Sequence, residues 1–401
     1  MKKKRETPIY VTRPYLPDIQ AYIENLASVW DSRQLTNGGP LVRRLEAQLC
    51  ERLGVAHMVL SANGHLALDA ALRALNLSGE VITTPFTFAS TAHAVSMNGL
   101  TPVFCDIKES DCTIDEEKII PLITDKTCAI LPVHVYGFPC NTERIAEIAD
   151  TYGLKVIYDA AHAFGVTVNG RGIGSFGDAS MFSFHATKVF HTVEGGGLAF
   201  GDETLRPRLA ALQNFGLTSK EDASYVGYNA KMTEFHAAMG LANLETLDCQ
   251  IAQRRLLAEH YIRRLSGVPG IRVFSWSNDR ILYNYSYFPV LFDDSVLAVN
   301  RDEIAFRMER EYQIYVRKYF YPLLSDLTCY RSAYQSADTP VARKIAARVL
   351  TLPLYAELTL EEADAVCDAI LTIISDRRCL PQKAAACNEI NTAPQRDTHL
   401  G

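Results

Sequence analysis

The chain lacks any apolar run approaching the ~20 residues that a bilayer-spanning helix requires, so a helical membrane anchor is not expected. It also lacks an excess of positive charge. Forty Lys and Arg stand against 46 Asp and Glu, a net charge of −6. That balance argues against a general nucleic-acid or membrane surface while leaving room for a local basic pocket. The start, Met1-Lys2-Lys3-Lys4-Arg5-Glu6, is basic like a signal peptide, but Thr7-Pro8-Ile9-Tyr10 follows where an apolar stretch would be needed. We read it as the ragged start of a cytoplasmic protein. The ten cysteines include no C-x-x-C pair and no Cys/His cluster at zinc spacing, so no structural metal is expected. Cys105 and Cys128 lie in apolar, strand-like surroundings and read as free thiols in a reducing compartment. Internal repeats and low-complexity tracts are missing too.

What is present is the composition of a globular protein: 401 residues, 48% hydrophobic and 21% charged. The length suits a large domain plus a smaller one. β-like runs at 57–61, 81–84, 103–106, 129–135, 155–159, 179–184 and 198–200 alternate with helical patterns such as Leu66, Leu68, Ala71, Leu72 and Leu75. This alternation predicts an α/β domain over 1–240 with a mostly parallel sheet covered on both faces. Ligands of such sheets gather at the carboxyl ends of the strands. A mostly helical pattern over 233–265 leads into a smaller α+β domain, 241–377, with strands at 271–274 and 285–292. Its helices fall near 302–311, 339–349 and 360–375. Residues 378–401 carry no sustained apolar period and read as a disordered tail.

Three segments carry chemistry. The run Lys155-Val156-Ile157-Tyr158-Asp159 ends a buried strand on a carboxylate, which is costly there unless it meets a cation or hydrogen-bond donors. A protonated pyridine nitrogen suits it, as in pyridoxal phosphate, whose protonated ring is an electron sink. Taken alone, Asp159 fits a helix cap or a distant arginine equally well. Twenty-nine residues later, Ala179–Phe184 leads through His185-Ala186-Thr187 to Lys188, an amine that desolvation could turn into a nucleophile toward an aldehyde. By itself it reads as a surface lysine after a strand. Ser183 and His185 share a face in extended geometry, so Ser183 could reach a phosphate. The third segment, Met58–Ser61 followed by Ala62-Asn63-Gly64-His65 and a helix, has the layout of a phosphate cradle, though many βα loops share it. Glu194-Gly195-Gly196-Gly197 supplies a turn, and Thr87-Phe88 offers a ring that stacks on a flat ligand or packs in the core. Gly172-Ile173-Gly174-Ser175-Phe176-Gly177 matches G-x-G-x-x-G. It follows a hairpin turn at Asn169-Gly170 and leads into a strand, so it is not a dinucleotide site.

In this order, and together with Gln34–Pro40, Pro132-Val133-His134-Val135-Tyr136-Gly137, Gly227-Tyr228-Asn229-Ala230-Lys231-Met232-Thr233-Glu234 and Leu352-Pro353-Leu354-Tyr355, the motifs resemble the DegT/DnrJ/EryC1/StrS family of sugar aminotransferases over roughly residues 8–375. The resemblance implies the fold of type I pyridoxal-phosphate-dependent transferases (aspartate-aminotransferase-like), with a seven-stranded sheet. It implies pyridoxal 5′-phosphate as cofactor and no metal. It assigns Lys188 to the covalent link and the proton shuttle, Asp159 to the pyridinium nitrogen and His162 to the ring's phenolic oxygen. Phe88 stacks on the ring, while Gly64, the amide of His65, and Ser183 bind the phosphate. Asn229 reaches the phosphate of a neighbouring subunit, which implies a homodimer with shared sites. His185, Arg317, Lys318 and Tyr321 are candidates for the sugar, although a solvated surface suits the last three as well.

The implied reaction moves the amino group of L-glutamate to a nucleotide-linked keto-sugar, with Phe184–Phe190 most similar to members that make dTDP-4-amino-4,6-dideoxy-D-glucose from the 4-keto sugar, for surface polysaccharide or another glycoconjugate. Amination at C3, sugar dehydration and a non-catalytic sensor are the alternatives. Two positions depart from the family pattern: His65 stands where threonine or serine is usual, and His191 where asparagine is common. Dehydratases of the family carry histidine in place of the lysine, so Lys188 argues against dehydration.

Overall fold

The computed structural model describes residues 7–334 and 338–376. The basic start and the tail expected over 378–401 lie outside the described residues. In chain order, strands β1 (His57–Ser61), β2 (Glu80–Thr83), β3 (Thr101–Phe104), β4 (Thr127–Ile130) and β5 (Lys155–Asp159) alternate with helices. A hairpin of β6 (Thr167–Val168) and β7 (Arg171–Gly172) follows, and then β8 (Ala179–Ser183) and β9 (Gly196–Phe200). Seven of these form one sheet in the order β1-β9-β8-β5-β4-β2-β3. Strand β9 runs antiparallel to both neighbours and the other adjacent pairs are parallel. The carboxyl ends of the parallel strands therefore share one edge, which β9 enters with its first residue.

Helix starts follow from local chemistry. Asn63 takes an extended conformation (φ −162°) and its side chain accepts from the Leu66 N–H, opening the helix Gly64–Ala74. The helix Pro40–Leu53 has no side-chain cap of its own residues. Instead buried Glu234 accepts from the amides of Leu41 (2.7 Å) and Val42 (3.1 Å). The pattern at 233–265 resolves into two helices, Glu234–Leu244 and Leu247–Leu265, rather than one. The β-like run predicted over 129–135 stops at Ile130, because Pro132 and the left-handed Tyr136 (φ 59°) turn the chain. The Asn169-Gly170 turn has positive φ at both residues (52° and 75°), as a two-residue hairpin demands.

A second sheet joins β10 (Ile271–Val273), β12 (Phe288–Phe292) and β13 (Val349–Leu352), while β11 (Ile281–Leu282) pairs with β6 of the hairpin. Strand β13 occupies the end of what the sequence suggested as helix, since the helix stops at Arg348. One apolar cluster runs from this sheet and the helices Leu247–Leu265, Arg301–Tyr312 and Leu360–Ser375 to Phe86, Val133 and Tyr136 at the edge of the large sheet. Packing thus presses Tyr287, Tyr319 and Phe320 against the carboxyl ends of β2, β4 and β5.

Candidate active site

Asp159 closes β5 and is 4% exposed. The Thr91 hydroxyl donates to its Oδ2 at 2.8 Å and the Ala161 N–H to its Oδ1 at 3.0 Å. Burial pushes its pKa above the usual carboxylate range, and these two donors and the Lys188 charge pull it back. Thr87 supports the arrangement through a 3.0 Å contact with Thr91. The acid is thus held in place, with a cationic partner the natural remedy for its burial.

Strand β8 lies beside β5 in parallel register and ends at Ser183. The turn after it closes with the Lys188 N–H on the His185 carbonyl (2.9 Å). This aims the Lys188 amine inward, where Nζ donates to the Tyr287 hydroxyl at 3.5 Å and sits 5.6 Å from that ring's centre. Burial brings its pKa down to about 8 although Asp159 and Tyr319 oppose the fall. At pH 7 roughly a tenth is already the free amine, far more than for an ordinary lysine, and the free amine is what attack on a carbonyl needs.

His162 is buried and lies parallel to Phe320 (5.8 Å, 1°) with the edge of Tyr287 at 4.9 Å. The Tyr136 N–H donates to its Nδ1 at 3.2 Å, so the neutral ring carries its proton on Nε2. Burial first, then the Lys188 charge, holds its pKa well below the ordinary value. His162 is therefore a fixed neutral donor.

Beyond β1, the helix beginning at Gly64 directs its first amides outward. Those of Gly64 and His65 cannot bond within the helix, since Asn63 serves Leu66. A Cβ on Gly64 would come within 3.2 Å of the Ser183 backbone, so the cradle and Ser183 adjoin. A Cβ on Gly196 would come within 2.5 Å of the Gly64 nitrogen. Gly196 is thus required by close backbone packing behind the cradle, while Gly195 and Gly197 leave room for the side chains of Thr192 and Phe184. The His65 imidazole turns aside to Ser90 (2.9 Å). Phe88, 63% exposed, precedes the helix Ala89–Met97 that carries Thr91.

Other candidates fall in different places. His185 stands at the mouth, its Nδ1 2.9 Å from the Thr187 hydroxyl and its Nε2 3.7 Å from Glu194. Exposed Asn229 accepts from Lys231 (2.7 Å), with no hydrogen bond to the Lys188 pocket among the described residues. Arg317 pairs through its backbone with Thr351 and is close enough to Tyr319 to affect its ionisation. Lys318 is engaged by Asp302 (2.6 Å), and Tyr321 lies under Arg301 (4.8 Å). His191 donates from Nε2 to the Tyr15 carbonyl at 2.6 Å and accepts the Val193 N–H, so it pins the N-terminal segment to the loop after Lys188. Of the wall formed by Tyr136, Tyr287, Tyr319 and Phe320, only Tyr136 stood in a recognised motif, and there without a role; the other three carried no readable signal, because aromatic residues in strands and loops look alike until the fold brings them together. Thr91 was equally silent.

These groups fit one kind of ligand: a flat heterocycle with a cationic ring N–H, an aldehyde and a phosphate. The buried acid answers the first, the desolvated amine the second, and the helix amides with Ser183 the third.

A seven-stranded sheet with one antiparallel strand, with an acid closing one parallel strand and an amine in the turn after its neighbour, defines the class: the type I fold of pyridoxal-phosphate-dependent transferases. Residues 18–371 match the DegT/DnrJ/EryC1/StrS aminotransferase family, and the chain belongs to it. It is similar to the dTDP-4-amino-4,6-dideoxy-D-glucose transaminase of Shigella dysenteriae, with 43% identity over 88% of this chain and 96% of that protein. The Escherichia coli protein of the same name is 42% identical over 88% of this chain and 95% of its own. The crystal structure of DesI in the presence of its TDP-sugar product superposes with a TM-score of 0.88 at 36% identity, covering 93% of this chain and 95% of that one.

Proposed function

We propose that the protein binds pyridoxal 5′-phosphate and transfers the amino group of L-glutamate to C4 of dTDP-4-keto-6-deoxy-D-glucose, giving dTDP-4-amino-4,6-dideoxy-D-glucose. The observation that carries the reaction type is the apposition of Asp159, at the end of β5, and Lys188, in the turn that follows the adjacent strand β8. The substrate reading draws its support from the relatives that share this length and carry that name.

When bound, the cofactor supplies an aldehyde that captures amines and a ring that stabilises negative charge on a neighbouring carbon. The chain's residues do the rest. Asp159 would accept the ring N–H and keep it protonated. Gly64, His65 and Ser183 would hold the phosphate, Phe88 would stack on the ring, and His162 would donate from Nε2 to the phenolic oxygen. The Lys188 amine would carry a proton from one carbon to the other in each half-reaction, which predicts ping-pong kinetics. Tyr287 and Phe320 keep the far side of this pocket dry. This reading assigns His185, Arg317, Lys318 and Tyr321 to the sugar, and the product to surface polysaccharide or another glycoconjugate.

The working form in this reading is a homodimer in the cytoplasm, with Asn229 completing the phosphate site of the other subunit. The helix Ile19–Ser32 leaves Ile19, Ile23 and Trp30 exposed on one face, next to exposed Leu16, a surface suited to a second copy. Among the described residues no helix is long and apolar enough to cross a membrane.

The test is incubation of the purified holoprotein with glutamate and a panel of 4-keto and 3-keto nucleotide sugars. The reading expects 2-oxoglutarate and an amine at C4 of the dTDP sugar. Amination only at C3, or ammonia release without transfer, would replace it.

A further inference from the structure

We propose that the first turn of the helix Ala89–Met97 is a brace across the cofactor pocket. In it, Thr91 and the His65–Ser90 pair are positioning residues that hold Asp159 and Phe88 at a fixed spacing from the phosphate cradle. The inference rests on reading Asp159, Phe88 and Gly64 as cofactor contacts, and it adds what keeps three separate parts of the chain in step.

The brace follows from where two hydroxyls go. Phe88 stands at the N-cap of this helix and offers no capping side chain. The serine and threonine of the first turn bond outward instead, each to a different wall of the pocket. Ser90 Oγ lies 2.9 Å from Nδ1 of His65, on the helix that begins at Gly64. Thr91 Oγ1 donates at 2.8 Å to Oδ2 of Asp159, at the end of β5. These partners stand 25 and 68 positions away along the chain. Two adjacent residues therefore tie one short helix to the cradle on one side and to the acid on the other.

The acid end has a fixed polarity. Thr91 has a single hydroxyl hydrogen and spends it on Asp159, so Thr87 must be the donor in its 3.0 Å contact with Thr91. Both threonines are buried, and the bonds run one way, Thr87 to Thr91 to Asp159, each strengthening the next. With the Ala161 N–H on Oδ1, each carboxylate oxygen has a donor, which favours an anion that accepts the ring N–H without taking its proton. The other end fixes Phe88. That ring is 63% exposed, so packing does little to hold it and its backbone sets its place. The Thr91 N–H donates to the Phe88 carbonyl at 3.2 Å, and Ser90 pins the same turn to His65. The His65 imidazole serves this bond while its backbone N–H stays available to the phosphate.

The experiment titrates cofactor-free protein with pyridoxal phosphate and records the nitrogen-15 resonance of the labelled ring once bound. The variants are Thr91→Val, Thr91→Ser, His65→Ala, Ser90→Ala and the His65→Ala/Ser90→Ala double. The brace predicts that each alanine variant binds about 5-fold more weakly and that the double is no weaker than either single. Melting of the cofactor-free alanine variants should stay within about 2 °C of wild type, which a merely structural pair would not allow. Thr91→Val should move the ring resonance toward the value of a neutral pyridine, and Thr91→Ser should restore it. Should Thr91→Val fail to fold, Thr87→Val removes the donor behind it and gives a smaller shift of the same sign. An unmoved resonance in the valine variant, or alanine losses that add in the double, overturns the brace. A wild type that binds the cofactor normally beside unaffected variants removes the brace alone. A wild type that takes up no cofactor removes the reading beneath it.

Discussion

At the scale of single residues, the chemistry is set by what burial does to charge. Lys188 meets the pocket at a pKa of about 8 instead of the 10.5 of a free lysine, because desolvation penalises the ammonium more than Asp159 can compensate. In the cofactor-free protein, trinitrobenzenesulfonate should therefore label Lys188 with a midpoint near pH 8, well before the exposed lysines. Asp159 is shifted the other way, and its work is to stay an acceptor for the ring nitrogen. The Asp159→Asn protein should still couple the cofactor to Lys188 yet lose at least about 100-fold in turnover, since the amide no longer keeps the ring protonated. Retention of full turnover would remove Asp159 from that role.

The elements explain why the site is where it is and how far a reader of the sequence could follow. Strand runs alternating with helical spacing were legible because each is a local pattern, and the order of Asp159 and Lys188 along the chain placed both on one edge of a parallel sheet. What remained hidden depends on distance along the chain. Tyr287 lies 99 positions from Lys188, and no local pattern announces that contact. The triple glycine after Glu194 reads as a flexible turn in isolation, while in the fold Gly196 presses on the backbone of Asn63 and Gly64. Gly196→Ala would force the helix start away from Ser183, and cofactor affinity in a titration should drop at least about 10-fold. Glu234 is a comparable case. It looks like an ordinary first-turn acid of its own helix, yet it caps the helix Pro40–Leu53 across a gap that only Gly39 leaves open, with a Cβ there 2.4 Å from its carboxyl carbon. Gly39→Ala should cost about 1–3 kcal/mol in urea unfolding, the range for losing charged hydrogen bonds at a buried helix end.

For the whole molecule, acid should be the dangerous direction. His134, His162 and His191 are all held neutral by burial, His134 down to about 3. Their folded values lie below the ordinary 6.5, so the unfolded chain takes up protons that the folded one refuses. Stability from these groups is complete above about pH 6.5 and falls as pH drops below it, by up to about 1.4 kcal/mol per pH unit for each histidine. Asp159 and Glu46, with their raised values, work in the opposite sense, while His236, also lowered by burial, adds a fourth histidine to the three. Thermal melting between pH 7 and 5 should show a steady fall, and a flat profile would contradict the assignment. The exposed face of Ile19, Ile23 and Trp30 predicts a dimer in sedimentation, with Trp30→Glu shifting it toward monomer and weakening cofactor binding if Asn229 serves the other subunit.

All of this depends on a single amine. Tritiated borohydride applied to the holoprotein, followed by proteolysis and mass mapping, should place one pyridoxyl group per chain on the peptide containing Lys188 and none in Lys188→Ala. Label at another lysine, or equal labelling in that variant, would contradict the account.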